Sequence, residues 1–142
     1  MRRLCTLALA FVAATALVRA ESNDEVAAHR AATDVAAAFT NGGFKLRDGH
    51  WNGKLQAGKS QVIQVNLYAG NQYWFTVGAT TAGKKLAVTI YDEAGKPLAS
   101  EPYSDENKAA AGFSPEVSGP YFVKVEEKEG GPATFCMVYS YK

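Results

Sequence analysis

Cysteine and histidine are almost missing from this chain, with two of each in 142 residues. Cys5 falls in an apolar N-terminal stretch, which leaves Cys136 as the one thiol beyond it. A disulfide framework within the chain is therefore excluded. His29, His50 and Cys136 offer at most three scattered ligands of the kind zinc takes, so no metal is expected. Charge of one sign is lacking as well: 15 Lys and Arg stand against 14 Asp and Glu, a net of +1. A near-neutral chain has no polyanion-binding footprint, and nucleic acid is not expected as a partner. No Gly-x-Ser-x-Gly elbow, His-Glu-x-x-His helix, Walker loop or dinucleotide fingerprint occurs. The sequence thus names no catalytic residue and no cofactor. What it does contain is 47% hydrophobic residues, 13 glycines and 11% aromatics, the composition of one folded domain rather than a disordered tail or a collagen-like fibre.

The first twenty residues have the form of an export address. Arg2 and Arg3 precede an apolar run from Leu4 to Val18, and Val18-Arg19-Ala20 forms a cleavage site before Glu21. That run is shorter than the roughly 20 residues a stable bilayer anchor needs, so no membrane anchor is expected after cleavage. Loss of Arg2, Arg3 and Arg19 from the 15 basic side chains leaves 12 against 14 acidic ones. A secreted or periplasmic protein of slightly acidic character is the expectation. Cys136 lies in the apolar run Ala133–Tyr139 and reads as a buried, inert thiol, with a disulfide between chains as the other reading.

Two periodicities divide the remainder. Residues 21–43 carry a helix and its cap. Ser22 and Glu25 have the spacing of a capping box, Asn41-Gly42-Gly43 supplies a stop, and Val26, Ala27, Ala31, Val35, Ala38 and Phe39 are assigned to its apolar stripe. From residue 44 to 142 the period becomes two. Ile63, Val65 and Leu67, then Tyr73, Phe75 and Val77, then Leu86, Val88 and Ile90, then Tyr121, Val123 and Val125 each mark one buried strand face. The pattern predicts about eight strands, over 44–47, 50–56, 60–68, 71–78, 85–92, 97–102, 108–114 and 120–127, with 133–141 as a ninth candidate. Gly, Pro, Asn and Asp cluster between them, and Asp92 to Gly95 has the form of a type I turn. Short strands with no helices between them predict an all-β, antiparallel sandwich with one amphipathic helix packed on it.

Several of these runs together resemble a known family. Gly53-Lys54-Leu55-Gln56-Ala57-Gly58 opens the likeness. It continues through Val65-Asn66-Leu67-Tyr68-Ala69-Gly70, Tyr73-Trp74-Phe75, Leu86-Ala87-Val88-Thr89-Ile90-Tyr91-Asp92 and Ser118-Gly119-Pro120-Tyr121-Phe122-Val123-Lys124-Val125. Residues 51–141 are similar in this way to the bacterial pre-peptidase C-terminal domain family. The resemblance implies a jelly-roll β-sandwich, non-catalytic, of the kind appended to secreted hydrolases, some relatives of which bind matrix polymers or calcium. Where many members open the strand at 84–91 with acids, this chain has Lys84-Lys85, so calcium is not carried over.

The acidic runs Asp105-Glu106-Asn107 and Glu126-Glu127-Lys128-Glu129 lack the ligand spacing of a calcium loop and read as solvated turns. His29 and His50 read as two solvent-exposed side chains. The aromatic residues remain. Trp51, Trp74, Tyr91 and Phe122 are assigned to the off-core phase of their strands, a candidate ligand-binding patch. The competing assignment lays the helix over Trp74 and Phe122 and leaves Trp51 and Tyr91 beyond it. The functional expectation is an exported, non-catalytic module that binds a protein or a polysaccharide. The alternative is a separately encoded inhibitor, chaperone or targeting subunit of a secreted hydrolase.

Overall fold

Ser22 caps the helix in the way that Glu25, three residues on, requires. In the computed structural model, which describes residues 21–142, helix α1 runs Asn23–Thr40; the leader assigned to residues 1–20 lies outside the described residues. The Ser22 hydroxyl accepts from the Glu25 N–H at 3.2 Å, and the Ser22 N–H donates to the Glu25 carboxylate at 3.1 Å. This reciprocal box satisfies two of the donors that a helix start leaves open. Asn41 stays in the right-handed region, and the left-handed residue that turns the chain away is Gly43, at φ +87°. The buried stripe is rotated from the expected one. Ala28, Ala31, Ala32, Val35 and Ala36 face inward, while Val26 is 43% exposed and Ala27 and Ala38 face solvent. With so many alanines in the helix, the sequence pattern holds two stripes that differ by one residue, and packing selects one of them.

Ten strands follow. They are β1 (Lys45–Leu46), β2 (Trp51–Leu55), β3 (Ser60–Leu67), β4 (Tyr73–Ala79), β5 (Gly83–Tyr91), β6 (Pro97–Leu98), β7 (Glu101–Asp105), β8 (Lys108–Phe113), β9 (Gly119–Gly130) and β10 (Ala133–Tyr141). The single strand expected over 97–102 is two pieces, because the chain changes sheets there: β6 pairs with β5, and β7 pairs with β8. One sheet has the order β1-β10-β4-β8-β7, with β2 beside β1 on the same edge of β10. The other has the order β3-β9-β5-β6.

The antiparallel pairings nest inside one another. β2 meets β10, β3 meets β9, β4 meets β8 and β5 meets β6. This is one long hairpin rolled so that successive pairs alternate between two sheets, the jelly-roll arrangement.

Side-chain alternation fills the space between the sheets. Ile63, Val65, Leu67, Phe75, Val77, Ile90, Val123, Val125, Phe135 and Met137 are buried there together. A second, smaller cluster lies outside the sandwich, where Ala28, Ala32 and Ala36 of α1 meet Cys136 and Val138 of β10. The fit is close because β4 presents Gly78 at the crossing. A Cβ there would collide with the Ala32 backbone nitrogen and stand 2.6 Å from the Ala31 carbonyl carbon. An alanine stripe over a glycine lets helix backbone rest almost directly on the sheet. The helix therefore covers the outer face of β4 and β10, and the outer face of β3-β9-β5-β6 has no such cover. Among the described residues no helix is long and apolar enough to cross a membrane.

Candidate functional site on the uncovered sheet

Strand β9 places Tyr121, Val123, Val125 and Glu127 inward and Phe122, Lys124 and Glu126 outward. Register then sets their neighbours. Phe122 lies between Gln64 of β3 and Tyr91 of β5, and Lys124 lies between Val62 and Thr89. Tyr91 and Phe122 are thus directly cross-strand, where side chains stand close enough to act together. Both are half-buried, and Val62 beside them is 58% exposed. Together with the Asp92–Gly95 turn they border a depression of about 330 Å³. The turn itself is rigid: Asp92 Oδ1 accepts from the Ala94 and Lys96 N–H groups, both at 2.9 Å.

Lys124 gives this apolar strip a fixed cation. Its Nζ stands 3.1 Å from Glu126 Oε2 and 5.5 Å from the centre of the Tyr91 ring. The Tyr91 hydroxyl and then the Glu126 carboxylate hold the ammonium above the usual lysine range. The site so built has two rings, an aliphatic side chain, a cation and turn carboxylates around a depression on the uncovered sheet. It presents apolar faces for stacking with polar groups at their rim.

The four aromatic residues expected as a patch are divided among three places. Trp74 lies beneath α1, its ring stacked on Phe39 at 4.1 Å between centroids and 11° between planes. Phe122 is on the other sheet, so the expectation that the helix covers it is corrected: β4 and β9 do not share a sheet. Trp51 is not on the off-core phase. Its partner across β10 is Met137, a core residue, so Trp51 faces the same way and stacks on Tyr139 at 5.8 Å. Arg47 extends over that pair, 5.1 Å from the Tyr139 ring and 6.0 Å from the Trp51 ring. Only Tyr91 and Phe122 come together. Val62 and Lys124 join them without having been singled out. Val62 was detectable as an apolar residue out of phase with Ile63, Val65 and Leu67.

Two further chemical groups depart from expectation, and a third, Cys136, is buried as expected. The run 126–129 is not a turn but part of β9, and Glu127 points into the sandwich at 0% exposure. Neither of its carboxylate oxygens has a hydrogen-bond partner. His29 and His50, expected as separate exposed side chains, stack ring on ring at 4.3 Å and 25°. Cys136 is sealed under α1, and its thiol is pushed up to about 12, by burial first and by the Glu21 carboxylate second. That environment opposes the thiolate a nucleophile needs. At the far end of β5 a polar depression of about 610 Å³ holds Lys84, Lys85, Asp105, Glu106 and Glu129, and no aromatic ring lines it. No family model matches the chain, and no curated protein matches it in sequence.

Proposed function

We propose that the protein is an exported, non-catalytic jelly-roll module that binds polysaccharide on the outer face of β3-β9-β5-β6. One observation carries this reading: Tyr91 and Phe122 stand side by side in cross-strand register on the one sheet face the helix leaves uncovered. A pyranose ring presents an apolar face of C–H groups and a rim of hydroxyls. Two partly exposed rings in a row match the first, and Lys124 with the Asp92-Glu93 turn matches the second. A shallow depression open to solvent suits a chain of repeating sugars better than a single small molecule, which a deep pocket would enclose. The likeness to the pre-peptidase C-terminal domain family, and the export address over residues 1–20, support the same reading.

Co-sedimentation with insoluble polysaccharides (cellulose, chitin, β-glucan and peptidoglycan) tests it. Wild type is retained by at least one of them. Stacking contacts are worth about 1 kcal/mol each, so Tyr91→Ala with Phe122→Ala weakens retention roughly 30-fold. The double variant keeps its native circular dichroism and stays folded well above the assay temperature. No retention on any polymer, or full retention by the double variant, rejects the reading. In the first case a soluble protein partner, such as a secreted hydrolase, takes its place.

A further inference from the structure

We propose that Glu21, His29 and His50 form a binding site for one borderline divalent transition-metal ion of the zinc and copper class. The fold assembles this group from three separate segments: the residue preceding the capping box, the second turn of α1, and the connection between β1 and β2. Both histidines of the protein are in it. One ligand atom from each of the three residues lies within 4.8 Å of the others, and among the described residues no other group of this kind occurs. His50 Nε2 already stands 3.2 Å from Glu21 Oε1.

A simple surface ion pair would account for His50 and Glu21 and leave His29 unexplained. Two imidazoles stacked face to face beside one carboxylate gain little in water, since exposed pairs contribute about 0–1 kcal/mol. A shared cation gives all three side chains the same reason to converge. Metal–nitrogen and metal–oxygen bonds of about 2.0–2.2 Å require ligand atoms somewhat closer together than they are here. Binding an ion requires the stacked His29 and His50 rings to swing apart so that one nitrogen of each faces the same point, and the His50 and Glu21 side chains have room to move at 32% and 35% exposure.

The donor set selects the ion. Two nitrogens and a carboxylate suit zinc or copper, whereas calcium and magnesium want oxygen throughout. Asn52 Nδ2 donates at 3.5 Å to the same Glu21 oxygen, Oε1, that faces His50, and so helps to orient that carboxylate. Glu25 borders the same shallow depression, but its carboxylate is committed to the Ser22 N–H. The depression opens to solvent, which leaves a coordination position for water. Bound there, the ion ties the start of α1 to the loop ahead of β2, a clasp on the helix that is independent of the polysaccharide face.

Zinc titration of tag-free protein by calorimetry tests the site. One equivalent binds, and calcium at the same concentration does not. His29→Ala and His50→Ala each weaken zinc at least about tenfold, and zinc at a concentration that saturates wild type raises its melting temperature more than that of either variant. A readout without variants runs beside it: zinc shifts the imidazole NMR signals of both His29 and His50 in wild type. Absence of zinc uptake at about 1 mM overturns the proposal. So does stoichiometric uptake that both variants retain, or imidazole signals that zinc leaves unmoved.

Discussion

Replacing Gly78 with alanine puts a methyl group where the backbone of α1 already lies. The added Cβ would stand 2.6 Å from the Ala31 carbonyl carbon, and an ordinary contact needs about 3.5 Å. The obstacle is backbone, so no side-chain rotation relieves it, and the helix must lift by about 1 Å. A gap of that size forfeits a quarter to a half of the dispersion energy along the seam of Ala28, Ala32, Ala36, Cys136 and Val138. Overpacking of this kind costs about 2 kcal/mol, which in a domain of this size lowers Tm by roughly 6–12 °C. Cys136 reports the same event chemically. With its thiol at about 12 against the ordinary 9.0, its thiolate fraction at pH 8 is smaller by about a thousandfold. Iodoacetamide therefore labels native wild type extremely slowly, and Gly78→Ala brings the rate towards that of a free thiol. Gly131→Ala is the control, because its Cβ would meet only Ala82 at 3.6 Å. A Gly78→Ala protein with unchanged Tm and a still-protected Cys136 would refute the seating of α1 on β4.

Two further perturbations follow from the site chemistry. Glu127→Met removes a carboxylate that is fully buried without a partner and keeps much of its volume; urea denaturation should show it more stable by about 1–3 kcal/mol, and a less stable variant contradicts the unpartnered placement. Lys124 is held above the usual lysine range by Tyr91 and Glu126. A raised value in the folded state means its contribution is complete below the unfolded value and is lost as pH rises through the folded one. The stability difference between wild type and Lys124→Met should accordingly be constant from pH 7 to about 10 and shrink above 10.5. A difference that grows in that alkaline range would contradict it.

The sandwich was legible because alternation survives wherever one strand face is buried, as it does at Ile63, Val65 and Leu67 or at Tyr121, Val123 and Val125. Alternation says which residues share a face but not which sheet a strand joins. Phe122 and Trp74 therefore looked alike in sequence and proved to lie on different sheets. Trp51 failed for a related reason: the small Gly53 between it and Leu55 hides the phase, which only the pairing with Met137 fixes. The acids clustered around Glu127 suggest a solvated turn, whereas β9 continues through the run and its period carries every second residue inward. The histidine pair was beyond sequence reasoning altogether, since it depends on how α1 crosses the sheet edge. The capping box was legible in full, because Ser22 and Glu25 interact within one turn.

The central claim is that the uncovered face of β3-β9-β5-β6 is the working surface. Residue-resolved NMR of the labelled protein, titrated with soluble oligosaccharides from the polymer that retains it, measures this directly. The account predicts shifts concentrated at Val62, Tyr91, Phe122 and Lys124, with α1 and β10 unmoved. Shifts centred on the helix-covered sheet, or none on β5 and β9 at saturating oligosaccharide, would contradict it.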